Sequence, residues 1–299
     1  MKKSNVYTVA GHSFSVAVPE EFPRHLCLEN YAPFMDNGEA GTKELLFCLD
    51  VVVADDLADV MHGSVKELLN EEAPYFWIFE GGEEAEFCFG FSRWKSGPDC
   101  ILCPSGDFSR ATVYVPRSGG AELAGFAIDN SLMLLYAFRS APYGTLLLHA
   151  SVVEYAGGGY MFLGRSGTGK STHSRLWLSN FADASLLNDD NPVLRAENGL
   201  VNVYGSPWSG KTPCYRNAVL PLKAAVRLSQ APHNRMERLA PLSSYASLLP
   251  SCSCMRWDSA AMADLHYALE KIVSSVPCWH LECLPDDEAA TVCRDAVIR

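Results

Sequence analysis

A chain of 299 residues with 48% hydrophobic and 20% charged side chains has room for one large domain or two modest ones around an ordinary core. Its formal charge of -11, with no run of Lys and Arg to offset it, argues against non-specific binding of nucleic acid or of an anionic membrane surface. The start, Met1-Lys2-Lys3-Ser4-Asn5, turns polar before a signal-peptide core forms, and no apolar stretch approaches the ~18 residues of a membrane span, so a cytoplasmic location is expected.

Residues 1 to about 115 read as β. The pieces 5–9 and 13–18 flank Ala10-Gly11-His12, and 75–79 and 86–91 flank Glu80-Gly81-Gly82-Glu83, which are two hairpin patterns. Strands over 45–53 and 111–115 complete an antiparallel sheet as the economical arrangement. The aromatics of this half recur at strand spacing, as a sheet core does, and no catalytic constellation stands among them. Pro116-Arg117-Ser118-Gly119-Gly120 is the best break in the chain, placing a β-rich N-terminal domain at 1–119 and a second domain at 120–299.

The second domain opens on a helix over 126–139, with Ile128, Leu132, Leu135 and Tyr136 on its apolar face, and continues as one central strand over 146–153. Residues 160–163 read as a buried strand and 172–178 as a helix, and between them stands a complete G-x-x-x-x-G-K-[ST] pattern, Gly164-Arg165-Ser166-Gly167-Thr168-Gly169-Lys170-Ser171. Residue frequencies produce that pattern by accident in roughly one chain in a hundred of this length. A strand, a glycine-rich loop and a helix in this order turn backbone N–H groups and the positive end of the helix dipole toward phosphate oxygens. Lys170 then reaches the terminal phosphates and the Ser171 hydroxyl holds Mg²⁺, with Gly164, Ser166, Gly167, Thr168, Gly169 and Thr172 completing the cradle, so ATP and Mg²⁺ are the expected ligands.

Leu186-Leu187-Asn188-Asp189-Asp190-Asn191 is an apolar strand end carrying two carboxylates. A strand following the loop helix returns to the loop, so one Asp can serve Mg²⁺ while the other takes a proton from an attacking hydroxyl. The same residues would also make a solvated turn before Pro192. His149 ends a strand beside the loop strand and can approach the same phosphates, although a lone His is more often a satisfied core residue. The stretch 204–217 gathers Gly, hydroxyls, Lys211 and Arg216 in a loop that either closes over substrate or is an ordinary surface turn. Beyond it come a strand over 222–228, a short helix over 242–249, a helix capped by Asp258 and stopped by Pro277, a strand over 278–284 and an acidic-headed terminal helix.

Of the eleven cysteines only Cys100-Ile101-Leu102-Cys103 and Cys252-Ser253-Cys254 are closely paired, and both read as reduced thiols rather than as metal or redox sites.

Taken together, Leu148-His149-Ala150, the loop from Gly164 to Thr172 and Leu187-Asn188-Asp189-Asp190 resemble the catalytic domain of the HPr kinase/phosphorylase family, in which a His motif, a glycine-rich loop and an Asp-Asp pair occur in this order. The loop also resembles ATP-dependent phosphoenolpyruvate carboxykinase, and the ending 277–289 is similar to that of HPr-kinase-related proteins of peptide-modification clusters. The glycine-rich signature by which true HPr kinases hold their protein substrate is missing, so the resemblance implies a relative of that family. It implies an α/β fold with a P-loop kinase domain after a β-rich N-terminal domain. It also implies phosphate and Mg²⁺ contacts at Lys170 and Ser171, a base and metal partner at Asp189 and Asp190, and a phosphate-proximal His149. The expected activity is ATP- and Mg²⁺-dependent phosphorylation of a serine-type hydroxyl in a peptide, protein or free amino acid, with homo-oligomers left open. A nucleotide-binding regulator and a small carboxykinase-like enzyme are the alternatives.

Overall fold

The alternation around Ala10-Gly11 becomes a hairpin: β1 (Lys3–Val9) pairs antiparallel with β2 (His12–Val18), burying Tyr7, Val9, Phe14, Val16 and Val18. The computed structural model describes residues 3–36, 44–60, 65–69, 73–80, 87–210 and 212–298. The chain divides into two compact units, Met1–Arg139 and Ser140–Arg299, and is mixed α/β with one sheet in each. Among the described residues no helix is long and apolar enough to cross a membrane.

In the first unit β3 (Leu45–Ala54), β4 (Val65–Leu68), β5 (Tyr75–Glu80), β6 (Phe87–Ser92), β7 (Cys100–Pro104) and β8 (Arg110–Pro116) extend the sheet in the order β1-β2-β3-β8-β7-β6-β5-β4. The strands expected over 45–53, 75–79, 86–91 and 111–115 are present, while the turn 81–85 and Glu86 lie outside the described residues. The sheet is not wholly antiparallel: β3 runs parallel to both β2 and β8, because its connections to them are long crossovers rather than tight turns. After a single helical turn, α1 (Arg24–Cys27), the unit closes with α2 (Gly120–Ser140). Tyr136 Oη of α2 donates to Val9 O at 3.0 Å and Arg139 Nε to Leu46 O at 3.1 Å, while Asp129 accepts from Tyr31 Oη and Asn30 Nδ2. The helix expected to open the second domain therefore packs on the first sheet. The compact units divide after Arg139 rather than at 119, since the apolar face of α2 is used by that sheet.

The strand expected over 146–153 is two strands. β9 (Thr145–Leu147) and β10 (Ala150–Tyr155) belong to different parts of the second sheet, separated where Leu148 bridges Cys252 and His149 N donates to Ser251 O at 2.7 Å. β11 (Gly158–Leu163), β12 (Ser185–Asp190), β13 (Val193–Glu197), β14 (Leu200–Tyr204) and β15 (Val219–Gln230) follow, in the order β12-β10-β11-β15-β14-β13-β9. β15 also pairs in parallel with β17 (Cys278–Cys283), to which β16 (Arg235–Arg238) is antiparallel. The β13–β14 hairpin and β16 were not anticipated from the sequence, being short and half polar.

Strand alternation sends side chains of this sheet to two faces. Val153, Tyr160, Phe162, Ala224, Val226 and Leu228 meet Trp177 and Phe181 at α3 (Lys170–Asn180) and Ala290 and Cys293 of α6 (Asp287–Val297). Ala150, Val152, Met161, Leu163 and Ala225 meet Leu248 of α4 (Pro241–Leu248) and α5 (Ser259–Ser275) on the other face. α5 buries Leu265, Ala268, Leu269 and Ile272, an i, i+3, i+4, i+7 stripe, and starts at Asp258, whose side chain accepts from Ala261 N. Asp286 caps α6 in the same way through Ala289 N.

Two turns of chain approach most closely at Gly205, whose N donates to Ala218 O at 3.0 Å; a Cβ there would fall on the carbonyl oxygen of Arg216 and lie 3.3 Å from Leu187 O. Both contacts are backbone, so neither can swing away. Gly205→Ala should therefore lose about 2 kcal/mol or more of stability, read as a lower denaturation midpoint with an unchanged denaturant slope.

Candidate functional site

Leu163 is the last residue of β11, Lys170 the first of α3, and the intervening loop is the G-x-x-x-x-G-K-[ST] stretch. Gly169, the residue before the helix, has φ 109°, a backbone shape that only glycine adopts without strain, and His173 N donates to its carbonyl at 2.8 Å. Arg165, Ser166, Gly167 and Ser171 are exposed, Gly164, Thr168, Gly169 and Thr172 half-buried, and Lys170 buried. Burial pulls the Lys170 ammonium below the ordinary lysine value, and the Asp190 and Asp189 carboxylates partly pull it back.

The two carboxylates come back to this loop on β12, which pairs with β10. Asp189 stands opposite Ser151 and Asp190 opposite Ala150. Directly opposed residues share a face. Ser151 Oγ is 2.6 Å from Ser174 Oγ of α3, so Asp189 lies on the α3 face; Ala150 packs in the core against α5, so Asp190 lies on the other face. Adjacent in sequence, the two acids are thus on opposite sides of the sheet.

Their partners differ accordingly. His149 Nδ1 is 2.9 Å from Asp190 Oδ1, and Lys170 Nζ is 2.8 Å from His149 Nε2 and donates to Gly164 O at 3.0 Å. With Lys170 as donor, Nε2 must accept, so the imidazole carries its proton on Nδ1 and gives that hydrogen bond to Asp190. Asn191 Nδ2 donates to Asp190 Oδ2 at 2.8 Å, which occupies the second oxygen. Asp189, 4% exposed, makes no comparable side-chain bond among the described residues; its carbonyl accepts from Gly210 N at 2.8 Å. Beneath the pair Asn188, fully buried, holds the strand end: its Oδ1 accepts from Asp190 N and Asn191 N, and its Nδ2 donates to Ser206 Oγ and Trp208 O.

The structure brings together His149, the loop, Lys170, Asp189 and Asp190. It does not bring Arg216 to them. Arg216 donates to Glu154 Oε2 at 2.7 Å, to Ser185 Oγ at 3.0 Å and to Leu186 O at 2.8 Å, at the opposite end of β12 from Asp190, a strand length of roughly 16 Å at 3.3 Å per residue. The guanidinium, first through its hydrogen bonds, lowers the pKa of Glu154. Lys211, the other cation expected here, lies outside the described residues. Among the described residues no three or more His, Cys, Asp and Glu side chains are grouped to hold a metal ion unaided, the Cys100-Cys103 and Cys252-Cys254 pairs included. The free carboxylate of Asp189 and the exposed hydroxyl of Ser171 fit an ion that shares its remaining ligands with phosphate oxygens.

Two cavities flank the loop. One of about 600 Å³ opens on the α3 side, between Thr172 and Leu176 of α3, Leu228, Pro232 and the Cys283-Leu284-Pro285 turn. The other, about 760 Å³, is on the α4 side, reaching from His149 and the loop to Arg227, Ser229 and Ser251. Sequence reading missed Arg227 and Ser229, which lie far from the loop in sequence, and gave no role to Asn188 or to the Ser151–Ser174 pair, whose partners are set by the fold. The division of the two Asp residues, however, was present as strand parity.

No protein-family model matches the chain, and no curated protein does. Among solved structures, the Hpr(Ser) kinase/phosphatase from Coxiella burnetii is similar to it at 14% identity and a TM-score of 0.30, over 51% of this chain and 96% of that one. A likeness of that size assigns neither family nor activity.

His173 lines the α3-side cavity wall and is 3% exposed; its Nε2 accepts from Trp177 Nε1 at 3.2 Å. Burial lowers its pKa from 6.5 to about 4. Between those two values the unfolded chain binds the proton and the folded one does not, so this residue's contribution to stability falls as pH drops from 6.5 to 4. Thermal melts across that window should show His173→Gln less acid-sensitive than the parent by on the order of 2 kcal/mol, and equal acid sensitivity would contradict the assignment.

Proposed function

We propose that the second unit binds ATP with Mg²⁺ and transfers the γ-phosphoryl group to a serine-type hydroxyl. The observation that carries the reading is the Asp190–His149–Lys170 hydrogen-bond chain at the mouth of the glycine-rich loop, with the buried Asp189 carboxylate free of a side-chain hydrogen bond among the described residues.

The N–H groups of the loop and the first turn of α3 take up phosphate charge. Lys170, whose ammonium is held by Gly164 O and His149, would exchange those partners for phosphate oxygens, a charge-assisted contact in a partly desolvated place. The apolar cavity on the α3 side, walled by Leu176, Leu228, Pro232 and Leu284, suits the nucleotide base. Mg²⁺, when bound, neutralises charge that develops on the phosphates. Ser171 and Asp189, on the same face of the sheet, are the residues that would hold it.

Release of Lys170 from His149 frees Nε2 of a neutral imidazole. An acceptor hydroxyl placed there gives its proton to Nε2 as its oxygen bonds the γ-phosphorus and the bond from that phosphorus to the bridging oxygen of the leaving diphosphate breaks. Asp190, already bonded to Nδ1, holds the ring in the accepting tautomer and stabilises the imidazolium that forms. Asn188 fixes Asp190 through its backbone, and Asn191 through its side chain.

Three substitutions separate these roles. Lys170→Ala should weaken ATP binding several-fold or more in a protein that still folds, measured by calorimetry, because one buried contact to phosphate is lost and no core packing. Asp190→Asn should lower turnover by about two to four orders of magnitude at nearly constant nucleotide affinity. Asp189→Asn should instead raise the Mg²⁺ concentration needed for half-maximal rate. Full activity in both Asp variants would reduce the pair to a structural turn.

A further inference from the structure

The α4-side cavity holds two guanidinium groups with no counter-ion. Arg165 is the second residue of the loop, and Arg227 stands on β15 opposite Leu163, the residue that leads into the loop. Both are exposed, and among the described residues neither meets a carboxylate or a hydrogen-bond acceptor. The chain has 35 acidic residues against 24 Lys and Arg, and its other arginines commonly find an acid: Arg93 pairs with Glu122, Arg117 with Glu21 and Asp55, Arg216 with Glu154, Arg235 with Glu237. No Asp or Glu lines this cavity. Apart from His149, its remaining polar lining is neutral: Ser166, Thr168, Ser229, Gln230, Ser247 and Ser251.

Position tells which ligand these cations face. Arg227 has the strand parity of Ala225, which is buried against the α4 and α5 side. That is the face of Asp190, and His149 itself lines the cavity. Ser171 belongs to α3 and Asp189 to the α3 face, the side of the first cavity. A ligand in the second cavity thus shares it with the imidazole and with both arginines.

We propose that this cavity takes the phosphoryl acceptor and that the acceptor carries a carboxylate close to its hydroxyl, bound by Arg165 and Arg227. The proposal rests on the kinase reading above and names its substrate class. A guanidinium matches a carboxylate with two parallel hydrogen bonds, which fixes the orientation of the hydroxyl as well as the affinity. The carboxylate has two sources with the same chemistry, that of a free hydroxy amino acid and that of an acidic residue beside serine in a peptide.

Calorimetry on the full chain saturated with a non-hydrolysable ATP analogue and Mg²⁺ tests it with two pairs of probes. L-serine is compared with L-serinamide, and a short peptide with serine between two aspartates with the same peptide carrying asparagines. In one pair the carboxylate form should bind about tenfold more tightly or better, and the pair that does so identifies the source. Arg227→Gln should abolish that preference and leave the affinity for the ATP analogue within about twofold, a loss of one charge-assisted contact to the probe alone, and Arg165→Gln should abolish the preference as well. Equal binding within both pairs, or a preference that survives Arg227→Gln, overturns the proposal. So does an equal loss of affinity for the analogue, which would assign the guanidiniums to the nucleotide. If the analogue fails to bind the parent protein, the kinase reading falls. The same probes titrated into the free protein then decide the cavity separately, since a carboxylate preference lost in Arg227→Gln upholds an anion site and no preference removes it.

Discussion

The alternation of side chains along β12 is the constraint on which the site depends. Two consecutive carboxylates in a strand cannot face the same way. Pairing β12 with β10 in the register Ser151 to Asp189 and Ala150 to Asp190 therefore sends one acid toward α3 and the other toward His149. Had β12 slipped by one residue, the acids would exchange faces and His149 would lose its partner. Asn188 opposes that slip: buried, with its amide bonded to Ser206 and Trp208 and its oxygen to the two N–H groups that follow, it ties the strand end to the 205–210 turn. The polar satisfaction of one buried amide thus sets the geometry of two carboxylates.

The division of the sheet into faces orders everything around the loop. On the α3 side lie an apolar cavity, the hydroxyl of Ser171 and the buried Asp189; on the α4 side lie His149, Asp190 and a cavity lined by two arginines that have no acidic partner among the described residues. The glycine-rich loop is the edge between the two. Lys170 interacts with both carboxylates, which partly offset the lowering of its pKa by burial.

Much of this was legible in the sequence where a local rule decides it. The loop was fixed by residue identity at fixed spacing, the cap at Asp258 by a side chain that accepts from the third residue on, and the first hairpin by alternation around Ala10-Gly11. What was not legible needed the tertiary structure. The run 146–153 is apolar apart from His149 and Ser151 and gives no sign that the chain leaves one strand and starts another at Leu148-His149, where pairing with Cys252 and Ser251 takes over. α2 carries an apolar face that suits either sheet, and only its bonds to Val9 and Leu46 show which it serves. Arg216 stands in a loop that the sequence offers either as a closure over substrate or as a surface turn, yet Glu154, sixty-two residues away in sequence, holds it at the far end of the strand.

The central claim is that Lys170 and His149 exchange partners when nucleotide arrives, leaving a neutral imidazole oriented by Asp190. The most direct measurement is the pair of imidazole nitrogen shifts of His149 in ¹⁵N-labelled protein, taken without and with a saturating non-hydrolysable ATP analogue and Mg²⁺. The account predicts a protonated Nδ1 and an unprotonated Nε2 in both states, with the Nε2 resonance moving as the Lys170 hydrogen bond is withdrawn. A proton on Nε2 in the free protein, or an Nε2 resonance unchanged at saturation, would contradict it.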